Sequence, residues 1–285
     1  MTVLAGITTY NPNIDRLKEN IEAIIHQVSG VVIIDNFSNN RSDIMELISA
    51  YPNVDTIFNS KNEGVSKALN QIFQFALGKN CEWVLTLDQD SVCDENLVKT
   101  YLENTNQKDI GILTCKIHDR NYEIEYGKGT EKKLELIDEC ITSGSFCSLK
   151  AYNKTEGFDE LMFIDGVDFD YCQQLSRNGF RIYRVDFYGL LHEVGKSKNV
   201  RFFLKRFAVY NESPFRHYYI ARNMKYLSYK YPNYRNLRKC YIWEFKACVK
   251  VLLYEDDKLS KLVQRLKGFM AARKLYITYK NSRGL

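Results

Sequence analysis

Short apolar runs alternate with helix-like stretches over the first hundred residues. The apolar runs predict buried strands at Val3–Thr8, Val31–Ile34, Val54–Phe58 and Trp83–Leu87. Between them, apolar residues recur at helical spacing from Ile14 to Val28 and from Val65 to Leu77. This order predicts an α/β fold in which helices flank a mostly parallel central sheet.

The pattern changes towards the C-terminus. Further strands are predicted at Ile110–Cys115, Cys140–Leu149 and Arg181–His192, with a short helix from Asp168 to Asn178. Beyond about Val200 the spacing is helical, with apolar stripes that are more typical of core or dimer contacts than of a membrane face. We therefore predict a first domain over 1–200, with halves at about 1–92 and 93–200, and a helical region over 201–285.

The formal net charge of +5 conceals two regions of opposite sign. Residues 1–195 carry −12, whereas residues 196–285 carry +17 and contain 11 of the 20 tyrosines. Basic residues mixed with amphipathic aromatics suit an anionic membrane surface or a nucleic acid. A solvated basic face on a helical tail is the simpler alternative. The sequence contains no zinc-finger, recognition-helix or RNA-binding motif, so we expect no nucleic-acid partner.

Several classes of protein are excluded. No apolar run reaches the roughly 18 residues of a membrane span, and the start MTVLAGITTYNP lacks the basic region of a signal peptide. The 8 cysteines show neither C-x-x-C nor zinc-ligand spacing, which indicates reduced, mostly buried thiols. We expect a cytoplasmic protein with a substantial hydrophobic core.

Polar side chains follow each of the first four predicted strands. They lie at Thr9–Asn11, Asp35–Asn36, Asn59–Gly64 and Asp88–Asp90. Ligands of such sheets bind at the carboxyl ends of the strands, so these residues are expected to share one crevice. Asp88 and Asp90 offer oxygen ligands to a hard divalent cation, which would neutralise a diphosphate. A D-x-D pair by itself is also common in surface loops.

Two further features carry candidate chemistry. Asp165, Asp168 and Asp170 lie within six residues, and like charges nearby raise the pKa of a carboxyl group, which suits a general base. Helix N-terminal capping is the alternative explanation for any one of them. His192 ends the last predicted strand and can face the crevice, although a single histidine more often packs or hydrogen-bonds than binds metal.

Eight short segments, in this order, resemble the inverting glycosyltransferases of family 2, which have the Rossmann-like GT-A fold. The closest resemblance is to bacterial dTDP-rhamnosyltransferases of cell-surface polysaccharide synthesis. The segments begin at Thr8-Thr9-Tyr10-Asn11, Asp35-Asn36-x-Ser38, Asn62-x-Gly64, Leu87-Asp88-Gln89-Asp90-Ser91, Thr142-Ser143-Gly144-Ser145, Gly157-Phe158-Asp159-Glu160, His192-x-x-Gly195 and Ser213-Pro214-x-Arg216. The sixth continues through Phe163-Ile164-Asp165-x-Val167-Asp168 and the eighth through Tyr218-Tyr219-x-x-Arg222-Asn223.

The resemblance implies a metal-dependent enzyme that moves L-rhamnose from dTDP-β-L-rhamnose to a hydroxyl of a lipid-linked or growing cell-surface polysaccharide. It implies that Asp168 is the general base and that Asp90 and His192 hold Mg²⁺ or Mn²⁺. It implies donor contacts at Thr8, Tyr10, Asn11, Asp35, Asn62, Asp88 and Arg222. It implies acceptor-side residues or alternative bases at Ser143, Gly144, Asp165 and Asp170.

The basic tail would then hold the enzyme peripherally on the inner face of the cytoplasmic membrane, although the C-terminal stripes also suit a homodimer. The segment Phe37-Ser38-Asn39-Asn40 departs from the family's Gly-Ser-Thr-Asp, and Glu63 from its usual smaller or neutral residue. Three alternatives stay open: a UDP-sugar donor such as galactofuranose or a hexose, an inactive scaffold of the same fold, and a nucleic-acid-binding protein that uses the tail.

Overall fold

The computed structural model describes residues 1–119, 125–126, 134–192, 198–202 and 205–284. The strands are β1 (Val3–Thr9), β2 (Gly30–Asp35), β3 (Val54–Phe58), β4 (Trp83–Asp88), β5 (Val92–Cys93), β6 (Ile110–Asp119), β7 (Glu125–Tyr126), β8 (Leu134–Ile137), β9 (Ser145–Ser148), β10 (Arg181–His192), β11 (Lys198–Phe202) and β12 (Lys205–Val209). The helices are α1 (Ile14–Ile24), α2 (Arg41–Ile48), α3 (Val65–Gly78), α4 (Leu97–Glu103), α5 (Leu149–Tyr152), α6 (Val167–Arg177), α7 (Pro214–Lys230), α8 (Leu237–Tyr254) and α9 (Lys258–Arg283).

The chain folds into two compact units, and each unit is built from two separate segments of the sequence. The first unit comprises Met1–Glu160 and Asp168–Glu193, and the second comprises Leu161–Val167 and Val194–Leu285. The predicted division at residue 200 lies near the later crossing point. The sequence pattern did not predict that the segment Leu161–Val167 belongs to the second unit.

The central sheet of the first unit has the strand order β3-β2-β1-β4-β9-β6-β10-β5. Strands β1 to β4 run parallel to one another. Strand β9 is antiparallel to both β4 and β6, whereas β6 and β10 are parallel. The carboxyl ends of β1 to β4 consequently meet at one edge of the sheet, as the sequence pattern predicts.

Strands β1, β2 and β4 are almost continuously apolar because helices cover both faces of the sheet. Ile7, Ile33 and Leu85 are among the buried side chains that form this core. Gly6 permits an unusually close approach of α3, since a Cβ at position 6 would overlap the Ile72 side chain. The absence of a side chain at position 6 thus sets the distance between β1 and α3.

Two predicted elements differ from the structure. The strand expected over Cys140–Leu149 is confined to β9, because Gly144 adopts a left-handed φ of 76° and turns the chain just before it. The helical pattern expected beyond Val200 starts only at α7, since β11 and β12 pair as an antiparallel hairpin. Apolar and basic residues are mixed in the sequence of this hairpin. The periodicity of apolar residues therefore did not distinguish strands from a helix here.

In the second unit, charged side chains are buried between α7, α8 and α9. Arg265 donates to both carboxylate oxygens of Glu244 at 2.8 and 2.7 Å, and its Nη1 lies 3.0 Å from His217 Nδ1. Because arginine only donates, His217 Nδ1 accepts and its Nε2 donates to Glu255 at 2.9 Å. Burial would raise the pKa of Glu255, but hydrogen bonds from His217 and Lys261 outweigh it and lower that pKa.

Within the described ranges, no helix has both the length and the apolar character that crossing a membrane requires.

Candidate active site

The carboxyl ends of three strands lie side by side in register. Thr8 of β1 pairs with Asp88 of β4, and Thr9 pairs with Asp35 of β2. Parallel pairing brings the loops after these strands to the same edge of the sheet, where α/β folds bind ligands. The residues that follow these strands therefore lie at one edge of the sheet, as the sequence pattern predicts.

Asp35 is fully buried beneath the loop that follows β2. Its carboxylate accepts hydrogen bonds from Thr9 Oγ1 at 2.9 Å, from the Ser38 N–H at 2.9 Å and from Ser38 Oγ at 2.5 Å. In this structure Asp35 shapes the loop. The direct contact to the nucleotide-sugar donor that was predicted for Asp35 would require the loop to move.

The loop after β1 is tied to both neighbouring loops. The Asn11 N–H donates to Ser38 Oγ at 2.7 Å, and the Asn39 N–H donates to Asn11 Oδ1 at 2.7 Å. The Tyr10 N–H donates to Gln89 Oε1 at 2.8 Å, while the Tyr10 side chain is 50% exposed. A tyrosine ring is thus presented to solvent from a fixed backbone at the crevice.

Asp88 and Asp90 flank a turn that is supported from the protein interior. The Asp88 carbonyl accepts from Asn20 Nδ2 at 2.7 Å, and the Asp88 N–H donates to Ser143 Oγ at 3.2 Å. Ser143 Oγ also lies 2.6 Å from Ser91 Oγ. Ser143 is buried, so the structure places it behind the D-x-D turn and not on a surface open to an acceptor.

Two further predicted positions fix loop geometry. Asn62 Oδ1 accepts from the Gly64 N–H at 2.9 Å just before α3 begins. Gly144 is held on both sides, since its N–H donates to the Thr86 carbonyl and its carbonyl accepts from Tyr101 Oη at 2.6 Å. Both residues therefore have a conformational role in this structure.

Asp168 is half-buried in the first turn of α6. It lines a shallow pocket together with Thr86, Thr142, Tyr171 and Cys172. The hydrogen bond with the Cys140 thiol, and then burial, raise the pKa of Cys172 well above its usual value. Cys172 is therefore a poor nucleophile at neutral pH.

Asp170 is fully buried on the other side of the same helix turn. Its carboxylate accepts from Gln174 Nε2 at 2.7 Å, and Gln174 Nε2 also donates to the Gly157 carbonyl at 2.9 Å. This position inside the first unit makes Asp170 unsuited to meeting an acceptor hydroxyl.

Asp165 and Arg222, which were predicted to act at the site, belong to the second unit. The Asp165 carboxylate pairs with Arg216, whose Nη2 and Nε lie 2.5 and 3.3 Å from its two oxygens. Arg222 Nη2 donates to the carbonyls of Leu161 and Met162 at 2.9 and 2.8 Å. Both side chains are thus engaged in holding the segment Leu161–Val167.

The predicted metal site is described only in part. His192 ends β10, and its side chain lies outside the described portion. Among the described residues, no group of three or more His, Cys, Asp and Glu side chains is arranged around a common position for a metal. The pair Asp88 and Asp90, half-buried at the end of β4, nevertheless offers the hard oxygen donors that Mg²⁺ and Mn²⁺ prefer.

Three residues at this edge received no predicted role. Ser38, Gln89 and Ser91 each use the side chain to fix a loop of the crevice. The sequence could have indicated this role, because each residue has a small hydroxyl or amide side chain within three residues of Asp35, Asp88 or Asp90. Such side chains frequently hydrogen-bond to loop backbones.

Comparisons with known proteins identify the family of the chain and its type of fold. The chain is 27% identical over 235 residues to the dTDP-rhamnosyl transferase RfbF of Shigella flexneri. The aligned region covers 78% of this chain and 78% of RfbF. The structure resembles S. aureus TarS residues 1–349 in complex with UDP-GlcNAc, with a TM-score of 0.56, 15% identity, and coverage of 99% of this chain and 92% of that one.

A longer structure of S. aureus TarS matches with a TM-score of 0.52 and 16% identity over 96% of this chain, which spans only 43% of that chain. The likeness to TarS shows the GT-A type of fold. The sequence profile described as "Glycosyl transferase family 2" matches residues 5–218. The chain is therefore a nucleotide-sugar-dependent glycosyltransferase that belongs to glycosyl transferase family 2.

Proposed function

We propose that this enzyme transfers L-rhamnose from dTDP-β-L-rhamnose to a hydroxyl of a lipid-linked or growing cell-surface polysaccharide. The observation that carries the choice of sugar is the 27% identity to a dTDP-rhamnosyl transferase over 78% of the chain. The exposed Tyr10 and the fixed loops after β1, β2 and β4 support a nucleotide site at this edge of the sheet.

Asp168 is the general base in this proposal. It would take the proton of the acceptor hydroxyl while that oxygen attacks the anomeric carbon and the bond to the dTDP diphosphate breaks. Attack from the face opposite the diphosphate inverts the anomeric centre, so the product is an α-L-rhamnoside. The burial of Asp170 and the pairing of Asp165 with Arg216 favour Asp168 among the three acids.

Asp88 and Asp90 would hold Mg²⁺ or Mn²⁺, with His192 as a proposed third ligand. When bound, the cation would offset the negative charge of the leaving diphosphate. Ser143 and Ser91 would keep the two carboxylates in position through the hydrogen bonds to this turn. Asp88 would also approach the donor ribose.

A UDP-sugar donor is the second candidate. The specific observation in its favour is the structural likeness to TarS in a complex with UDP-GlcNAc. The fold, base and metal carboxylates would be unchanged, and only the donor would differ.

A donor screen tests the sugar. Purified protein is incubated with dTDP-rhamnose, UDP-GlcNAc, UDP-glucose and UDP-galactofuranose, with and without Mn²⁺, and the released nucleotide is measured. We expect Mn²⁺-dependent release of dTDP from dTDP-rhamnose only. Release of UDP alone would reject rhamnose and keep the reaction class.

We further propose that α8 and α9 hold the enzyme peripherally on the inner face of the cytoplasmic membrane, where a lipid-linked acceptor is available. Large apolar side chains are exposed on both helices: Tyr241, Ile242, Phe245, Leu252, Leu253, Leu259, Leu266 and Met270. Phe245 and Leu259 are 70% and 78% exposed. On α8 the positions Tyr241, Ile242, Phe245, Leu252 and Leu253 fall within roughly a third of the helix circumference at about 100° per residue, whereas Trp243, which is 44% exposed, lies outside this arc.

Charge favours an anionic lipid surface over a second copy of the chain. Residues 237–284 contain twelve Lys and Arg against four Asp and Glu, and Lys246, Lys267 and Lys274 are exposed beside the apolar positions. Two such faces would repel each other, whereas acidic headgroups attract them. Apolar insertion and basic flanks together are the pattern of interfacial helices.

Replacing Phe245 and Leu252 by serine is expected to weaken binding to vesicles that contain phosphatidylglycerol by tenfold or more, because burial of each large apolar side chain contributes about 1.5–3 kcal/mol. Co-sedimentation at several salt concentrations measures the effect. The matched control is Met45→Ser, which removes an exposed apolar side chain of α2 and is expected to change nothing. Equal binding by the double variant, or a dimer that only this variant disrupts, would reject the membrane proposal.

A further inference from the structure

Phe37 combines an unfavourable backbone conformation with an exposed ring. It follows Asp35 and Asn36 at the end of β2 and has a φ of 69°, in the left-handed region. Bulky side chains rarely adopt this region, because their Cβ approaches the backbone carbonyl. The side chain is 56% exposed, so little burial of the ring offsets the strain.

The residues on both sides hold this conformation in place. The Asn36 N–H donates to the Thr9 carbonyl at 2.8 Å, and Asn36 Nδ2 donates to the Gly64 carbonyl at 3.1 Å. Ser38 is fixed by Asp35 and by the Asn11 N–H. Phe37 is therefore an exposed ring on a rigid backbone, with strained geometry that its neighbours impose.

Strained residues of this kind concentrate at ligand-binding positions. Phe37 lies on the loop after β2, and Tyr10 lies on the loop after β1. Hydrogen bonds of Asn11 with Ser38 and Asn39 connect the two loops. Two exposed aromatic side chains therefore lie on adjoining loops at the ligand-binding edge. Among the described residues, no ring or cation stacks on Phe37. A flat apolar ligand group would use a surface that the protein itself leaves exposed.

We propose that Phe37 is a stacking surface for the pyrimidine base of the nucleotide donor. This inference rests on the proposed function, which supplies such a base. The turn at the end of β4, which lies beyond β1 in the strand order, carries Asp88 and Asp90 for the diphosphate end of the same ligand. Stacking between a base and an aromatic side chain tolerates different bases, so the surface would serve dTDP and UDP alike.

The test compares Phe37→Gly with the unchanged enzyme by calorimetric titration of dTDP, UDP and inorganic diphosphate in the presence of Mn²⁺. Glycine accepts the left-handed φ, so we expect an unchanged or higher melting midpoint. The dissociation constants for dTDP and UDP are expected to rise about five- to fiftyfold, since the stacking contact is lost. The dissociation constant for diphosphate, which has no base, is expected to stay within twofold.

Two variants complete the test. Phe37→Tyr keeps an aromatic ring at this position, and its dissociation constant for dTDP is expected to stay within about threefold of that of the unchanged enzyme. Asn80→Gly is the matched control, because Asn80 also has a positive φ, of 54°, at the far end of α3; it is expected to leave dTDP affinity unchanged. Equal loss of dTDP and diphosphate binding in Phe37→Gly would overturn the proposal, as would no loss of either.

The wild-type titration separates this inference from the proposed function. If the unchanged enzyme binds neither dTDP nor UDP, the proposed donor class is wrong and the stacking role falls with it. If it binds dTDP and Phe37→Gly binds dTDP equally well, only the stacking role is wrong.

Discussion

Asp168→Asn is expected to lower kcat by about 10²–10⁴-fold while the dissociation constant for dTDP stays within twofold. Positioned general-base catalysis contributes an effect of this size, and the amide keeps the shape of the side chain but cannot take the acceptor proton. Asp168 is half-buried in the first turn of α6, so the substitution should leave the fold intact. Initial rates with an acceptor saccharide, together with dTDP titration, measure the two quantities separately.

Asp15→Asn is the matched control for this prediction. Asp15 is an exposed aspartate in the first turn of α1, so the change removes the same charge from the same kind of helix position. Its rate is expected to equal that of the unchanged enzyme. A full rate for Asp168→Asn combined with a large loss for Asp165→Asn at unchanged stability would transfer the role of base to Asp165.

Asp90→Asn is expected to lower kcat/KM by at least about 10²-fold and to abolish the effect of Mn²⁺ on dTDP binding. A carboxylate at the end of β4 can bind a hard cation strongly, whereas a neutral amide compensates little of the diphosphate charge. Titration of dTDP with and without Mn²⁺ measures the coupling directly. Because the readout is the change in affinity, it does not depend on the identity of the acceptor.

Asp94→Asn provides the corresponding control, since Asp94 is an exposed acid shortly after the same turn. It is expected to keep both the rate and the effect of Mn²⁺. Full activity of the unchanged enzyme in excess chelator would contradict metal dependence altogether. Retained coupling in Asp90→Asn would place the cation on other ligands.

The apolar pattern predicted the sheet of the first unit well, because buried parallel strands are continuous apolar runs. Strands β1, β2, β3 and β4 agree with the predicted positions to within one residue at each end. Helices α2 and α4 received no prediction. Each is short, at Arg41–Ile48 and Leu97–Glu103, and presents too few turns for a periodic signal to stand out.

The positions of the site residues at the ends of the parallel strands were predictable, whereas their exposure was not. The carboxyl ends of parallel strands meet by topology, so Asp35 and Asp88 were correctly expected at one edge. The burial of Asp35 depends on Ser38 and Thr9 closing over it, and the burial of Ser143 depends on Ser91. Some of these contacts join residues that are distant in sequence, and the others depend on the conformation of one loop. The local pattern of apolar and polar residues predicts neither kind of contact.

The segment Leu161–Val167 has a consequence for the order in which the chain can fold. Its partners Arg216, Arg222 and Asn223 come 51 to 61 residues later in the contacts they make. During synthesis α6 therefore leaves the ribosome while the segment before it still lacks its supporting helix. Contacts of such sequence separation form late, so the segment Leu161–Val167 should reach its folded conformation only after α7 has emerged, and a gene fragment that ends near residue 193 should leave this segment without its supporting side chains.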